Sequence, residues 1–315
     1  MSKYKVKPLL PEDLNTYSLK SRKSKVDIDR FARPFNQDKG FRNFIESFPN
    51  ILAGREYKEF IALVKLAKKN GRAIILALGA HVIKVGLAPI ITDLMKEGWI
   101  TALSINGAGI IHDFEIAFAG KTSEEVDIQI RDGQFGMAQE TGEMLNVAIN
   151  AGGKEDLGLG EAVGKMIAAS DFPYKSYSLL ATAYDLNIPV TVHVAIGTDI
   201  IHFHPDVKGE ELGKATLRDF FLFCSIVKEI NGGGIFLNVG SAVILPEIFL
   251  KAVSFVRNKG NVLDNFSTAV FDFIHHYRAY QNVVKRPLGN KGKGFYFIGH
   301  HEIMIPLFAA SLKAE

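Results

Sequence analysis

Apolar residues recur along the chain in two alternating rhythms. Short runs that are apolar on both faces, RAIILAL (72–78), ITALSIN (100–106), IPVTVHVAI (188–196), GIFLNVG (234–240), VLDNFSTAVF (262–271) and GFYFIG (294–299), read as strands buried inside a parallel sheet. Between them GLAPIITDLMKEGW (86–99), DFFLFCSIVKEING (219–232), LPEIFLKAVSFVRNKG (245–260) and HEIMIPLFAASLKA (301–314) carry apolar residues at helical spacing, several ending at glycine. This alternation predicts an α/β fold: a doubly wound, mostly parallel Rossmann-like sheet with helices on both faces. The interval 120–187 has a helical pattern, with TSEE (122–125) reading as a capping box and DFPYKS (171–176) as a break, and predicts a helical insertion on one face. Residues 1–35, rich in Lys and Pro and without periodicity, predict an arm lying over the body or a partner subunit. No linker divides the remainder, so 36–315 reads as one domain.

Composition narrows the function classes. With 315 residues, 47% apolar and 23% charged, the chain can bury a sizeable core, and a net charge of +3 does not favour a nucleic-acid partner. The one cysteine, Cys224 in FFLFCSIV, reads as a buried hydrophobe, which leaves no disulfide framework or cysteine metal site and suits a reducing cytoplasm. MSKYKVKPLL lacks the apolar stretch of a signal peptide. Lys84 and Pro89 break the apolar stretch at 73–92, and Gly240 and Pro246 that at 232–250, so no membrane span is expected.

SINGAGIIHDFE (104–115) poses the functional question, because a strand runs into Gly107 and Gly109 and then into His112, Asp113 and Glu115. A glycine turn between strand and helix can hold a phosphate, although the full Gly-x-Gly-x-x-Gly fingerprint is absent. Ligands of open parallel sheets sit at the carboxyl ends of strands. The polar residues there are His81 and Lys84; Asn106, His112 and Asp113; Thr198, Asp199, His202 and His204; Asn238, Gly240 and Ser241; Thr268 and Asp272; and His300, His301 and Glu302. Their convergence on one crevice is the arrangement expected of a dinucleotide site.

ILALGAHVIKVGLAPIITDLMKEGWITALSINGAGIIHDFE resembles the deoxyhypusine synthase family, and the resemblance continues through VAIGTDIIHFHP, GGGIFLNVGSAVILPEIFLKAV and NFSTAVFDF over roughly residues 35–315. It implies an NAD-binding doubly wound sheet and a homotetramer built from tight dimers with sites at the dimer interface. It also implies an NAD-dependent transferase that dehydrogenates a polyamine and passes an alkylamine group on through an imine held by a lysine. Carried over by position, it places Lys84 to Gly86, Asn106, Gly107, Ala108 and Gly109, Thr198 with Asp199, and Thr268 with Ala269 at the cofactor. Asp113, Gly240, Ser241 and His300 join them as strand-end groups.

The substrate motifs depart from the family. Its amine-binding acid falls at or near His204, its Lys-His pair becomes Ile244, Leu245 and Pro246, and Lys285 in YQNVVKRP is the lysine nearest the imine position. The resulting expectation is a small amine substrate other than that of authentic deoxyhypusine synthesis, with Lys285, His204 and His112 as catalytic candidates. The alternative is a nucleotide- or metal-binding protein on the same scaffold, with His202, His204 and His193 or His112 around a divalent ion.

Overall fold

Each apolar run forms a strand in the computed structural model, which describes residues 3–314. The strands are β1 (Ile74–Leu78), β2 (Ala102–Asn106), β3 (Val190–His193), β4 (Ile235–Val239), β5 (Ser267–Asp272) and β6 (Lys293–Ile298). They pair in parallel in the order β3-β2-β1-β4-β5-β6, which is the doubly wound order with its reversal between β1 and β4. Every residue of β1, β4 and β5 is buried. A strand covered on both faces has no solvent side to show, hence the unbroken apolar run of β1 and the absence of polar alternation in β4 and β5.

The helices are α1 (Gly40–Glu46), α2 (Leu52–Lys69), α3 (Ala80–Lys84), α4 (Ala88–Lys96), α5 (Gly107–Ala119), α6 (Val126–Gln129), α7 (Gln139–Lys154), α8 (Leu159–Ala169), α9 (Leu179–Asp185), α10 (Gly209–Lys228), α11 (Ile244–Asn258), α12 (Tyr277–Ala279) and α13 (His301–Lys313). One apolar cluster joins one sheet face to α2, α4, α5, α7 to α9 and α13. A second joins the other face to α10, α11 and residues 279–288, where Phe236 of β4 stacks flat on Phe249 of α11 at 3.7 Å. Burial at about 25 cal/mol per Å² makes these two clusters the main stabilising contribution.

The differences from the sequence pattern have local causes. Leu263 is apolar but belongs to a turn: Arg257 grips its carbonyl, Asn231 accepts from the Asp264 N–H, and Asn265 holds φ 51°, so β5 starts at Ser267. α10 begins ten residues before its apolar stretch, at Gly209, and in its first turns only Leu212 and Ala215 are buried, too few apolar positions to read as a helix. β3 stops at His193, where β2 runs out of partners at Asn106. The open edge of β3 is covered by Asp219, which accepts from the N–H groups of Val192 (2.8 Å) and Gly160 (3.0 Å) and is pushed up to about 7 by burial.

The 120–187 insertion elaborates the β2–β3 crossover, but TSEE does not form a capping box. Thr122 bonds to Glu115 and His112, Glu124 accepts from the Gly136 N–H, and α6 starts at Val126 without a side-chain cap. Residues 3–36 are exposed and hold to the body through Arg30 and Arg33 backbone bonds and the Phe35–Phe44 ring contact. Cys224 is a free, buried thiol, pushed up to about 11 by burial. Among the described residues no helix is long and apolar enough to cross a membrane.

Candidate functional site

β1 and β4 leave the sheet side by side at the point where strand order reverses. The Gly79 N–H donates to the Val239 carbonyl at 2.8 Å, the Gly240 N–H donates to the Phe271 carbonyl at 3.0 Å, and a β-carbon on Gly79 would collide with the Gly240 carbonyl. Gly240 holds φ 68° with the His301 ring against it, so neither position tolerates a side chain. Above this floor His81 lies 5.5 Å from His301 and 5.8 Å from Phe273, Phe273 lies 5.5 Å from His301, and His300 stacks on Phe273 at 6.4 Å. The fully buried His301 donates Nε2–H to the Phe271 carbonyl at 3.3 Å, which leaves Nδ1 as a buried acceptor with no partner among the described residues. Burial holds its pKa below the ordinary value, and the charge of Asp272 works the other way. Asp272 ends β5, accepts from the Phe273 N–H at 2.8 Å and stands 3.6 Å from His276 Nε2.

The second group of residues closes β2 and β3. Asn106 caps α5 by accepting from the Gly109 N–H at 3.2 Å, and Asp199 accepts from the Ala108 N–H. A β-carbon on Gly107 would collide with Asp199 Oδ2. The glycine turn therefore admits the protein's own carboxylate to the head of α5, where the sequence suggests a phosphate. Burial pushes Asp199 up to about 6, against the contacts with Thr198 and Ala108. His202 accepts at Nδ1 from the N–H groups of Gly197 (3.1 Å) and Asp199 (3.3 Å), so its Nε2 carries the proton and points at Asp199 Oδ2, 3.9 Å away.

Other candidates sit elsewhere. Asp113 is buried beneath α5 and accepts from the Ser178 hydroxyl (2.5 Å) and the N–H groups of Leu179 (2.7 Å) and Leu180 (3.3 Å); it serves the start of α9 and does not face the crevice. Thr268 and Ala269 occupy the first half of β5, away from its carboxyl end, and the Thr268 hydroxyl donates to the Val283 carbonyl. His204 is buried, donates Nε2–H to the Gly136 carbonyl at 2.7 Å and fills the space beside Gly142, so it has no free nitrogen facing the crevice.

Lys285 lies in the β5–β6 crossover beside Val284, whose carbonyl meets Gly294 near the start of β6. It is exposed, with its ammonium 5.7 Å from the centre of the Tyr280 ring, and does not join the strand-end cluster. Ser241 accepts from the Leu245 N–H at the start of α11, Thr198 donates to the Ala195 carbonyl, and Lys84 and Gly86 form an exposed turn between α3 and α4. Among the described residues no three His, Cys, Asp or Glu side chains are placed to hold a metal ion. His193, His202 and His204 each commit a nitrogen to a hydrogen bond within the protein. His81, Asp272, His301 and His202 were legible only as polar residues after strands, and Phe273 carried no signal beyond its place one residue past β5.

No family model and no curated protein matches the chain. Among solved structures it is similar to unliganded AgrE (TM-score 0.52, 15% identity, 82% of this chain and 32% of that one). It is also similar to a candidate LOR/SDH protein from Methanococcus maripaludis S2 (0.51, 15%, 88% and 71%) and to a candidate deoxyhypusine synthase from Entamoeba histolytica (0.50, 12%, 89% and 96%). The likeness is one of fold. The chain spans about a third of the length of AgrE.

Proposed function

We propose that this protein is an NAD-dependent enzyme that dehydrogenates a small amine and passes the resulting alkylamine group on through an imine that is not held by Lys285. The observation that carries the reading is the β1/β4 reversal, where the Gly79–Gly240 floor meets four stacked or edge-packed rings and the unpartnered Nδ1 of His301. The donor set suits a dinucleotide: flat rings for its bases, an orphaned acceptor, and the carboxylates of Asp199 and Asp272 for ribose hydroxyls. When bound, NAD supplies a hydride acceptor at its nicotinamide ring. The chain's part is to orient the amine and remove its proton, and His112, one turn along the same face of α5 from Ala108, has a nitrogen free for that.

The substrate differs from the family's polyamine. A buried ammonium needs a carboxylate partner, and here the family's acid position is His204, sealed against Gly136, while Leu245 and Pro246 are buried and apolar. We expect weak or no spermidine turnover and a substrate with fewer cationic ends. Exposed Ile196, Val243, Phe273, Ile274 and Ile298 rim the strand ends, and exposed Leu9, Leu10 and Leu14 line the arm, which supports a homodimer or homotetramer covering the crevice. Light scattering of a stable monomer at micromolar concentration would contradict this.

Calorimetry with NAD, then NADH absorbance with spermidine, putrescine, agmatine and amino acids, tests the reading. Binding of NAD that His301→Ala weakens, followed by NADH formation with one amine, is the expected result. Lys285's position favours a second reading, a nucleotide-binding protein without transfer chemistry, and NAD binding with no amine-dependent NADH would select it. Failure to bind NAD, NADP or any adenine nucleotide would remove both.

A further inference from the structure

Three side chains on and beside α5 are linked in series. The Thr122 hydroxyl donates to Glu115 Oε2 at 2.5 Å, and His112 Nδ1 lies 2.6 Å from the same Thr122 oxygen. A hydroxyl has one proton, so with that proton on Glu115 the oxygen can only accept from His112, and Nδ1 must carry the ring's proton. Nε2 is then a lone pair, with no hydrogen bond to any described residue. The second Glu115 oxygen accepts from Thr141 at 3.1 Å, in the first turn of α7. α5, the turn at Thr122 and α7 are thus joined through Glu115 and Thr122, and the chain ends on one imidazole whose outer nitrogen is free. His193, His202 and His204 instead commit a nitrogen to a hydroxyl, to backbone N–H groups and to a backbone carbonyl, in that order, with no hydroxyl–carboxylate chain behind it.

We propose that Glu115, Thr122 and His112 form a proton relay in which His112 is the general base and Thr122 and Glu115 are positioning residues that fix its tautomer. The proton taken is that of the ammonium form of the bound amine; this assignment rests on the amine reading above. The ammonium N–H bond breaks, its electron pair stays on nitrogen, and the proton bonds to Nε2. The ring becomes an imidazolium that still donates Nδ1–H to Thr122. The neutral amine can then release hydride from its carbon to NAD, which an ammonium cannot do. Two charged groups act on the ring: Glu115 on its own helix favours the imidazolium and Lys84 from α3 opposes it, while the uncharged Thr122 meets the ring and Thr141 of α7 meets Glu115. Burial is the largest influence and holds the ring neutral near pH 7, ready to accept.

Long-range nitrogen–proton NMR on full-length protein labelled at histidine reads the tautomer without any cofactor or substrate. The wild type and Thr122→Ser should hold His112 in the Nδ1–H form, and Thr122→Val should release it to the Nε2–H form that free imidazole favours. In the amine assay Thr122→Val should lower kcat by roughly 10²-fold with little change in KM, and Glu115→Gln should move the acid limb of the kcat profile. Melting temperatures check that each variant is folded, with Thr122→Ser as the rescue. A wild-type Nε2–H tautomer, or a tautomer and kcat indifferent to Thr122→Val, overturns the relay. The expected tautomer in a protein that forms no NADH with any amine overturns the amine reading and the base role with it.

Discussion

The carboxylate of Asp199 stands against Gly107 at the head of α5, accepting from the Ala108 N–H in the space a side chain on residue 107 would need. Gly107→Ala should therefore displace Asp199 and cost about 1–3 kcal/mol in the absence of ligand, the value of a lost charged hydrogen bond. Urea unfolding measures it. Were the glycine a phosphate cradle instead, the variant would keep its unliganded stability and lose only NAD affinity.

Asp113 accepts three hydrogen bonds at the start of α9, and none of them faces the crevice. Asp113→Ala should lower stability by roughly 2–4 kcal/mol, because it leaves two buried N–H groups and a hydroxyl without their acceptor. NAD affinity of the folded variant should be unchanged. A selective loss of affinity at full stability would return Asp113 to the cofactor site.

His193 ends β3 with its ring against Phe223, and burial alone pushes its pKa down to about 3 from an ordinary 6.5. A depressed folded pKa means the contribution is complete above pH 6.5 and is lost as pH falls towards 3. At pH 5 the loss is on the order of 2 kcal/mol relative to pH 8, from 1.36 kcal/mol per unit. His193→Phe should remove that part of the decline, as the difference between unfolding curves at the two pH values. Parallel curves would show that the ring titrates normally.

Lys285 is exposed over Tyr280 on the crossover, beside the start of β6. Lys285→Ala should leave kcat within about twofold, since a lysine that forms an imine must meet the reacting carbon. Borohydride trapping of substrate on Lys285, with collapse of turnover in the variant, would restore the lysine-held imine.

Much of the frame was legible in the one-dimensional pattern. Residues buried on both faces of a parallel sheet are mostly apolar, so β1, β2 and β4 announce themselves, and strand–helix alternation leaves few topologies besides the doubly wound sheet. The strand-end rule likewise singled out Asp199, His300 and His301 as polar groups that a ligand could meet. What each polar group does was not legible, because hydrogen-bond partners are distant in sequence. Asp113 meets Ser178 and Leu179, Asp219 meets Val192 and Gly160, His204 meets Gly136, and Thr122 bonds backwards to Glu115 and His112 instead of capping α6. Resemblance of motif set Lys285 and Thr268 in the site, yet only the path of the crossover decided how far along β5 and β6 they lie. Apolar periodicity is set by which face is buried, a local property of each element; a polar contact is set by where two elements meet, and that belongs to the tertiary structure.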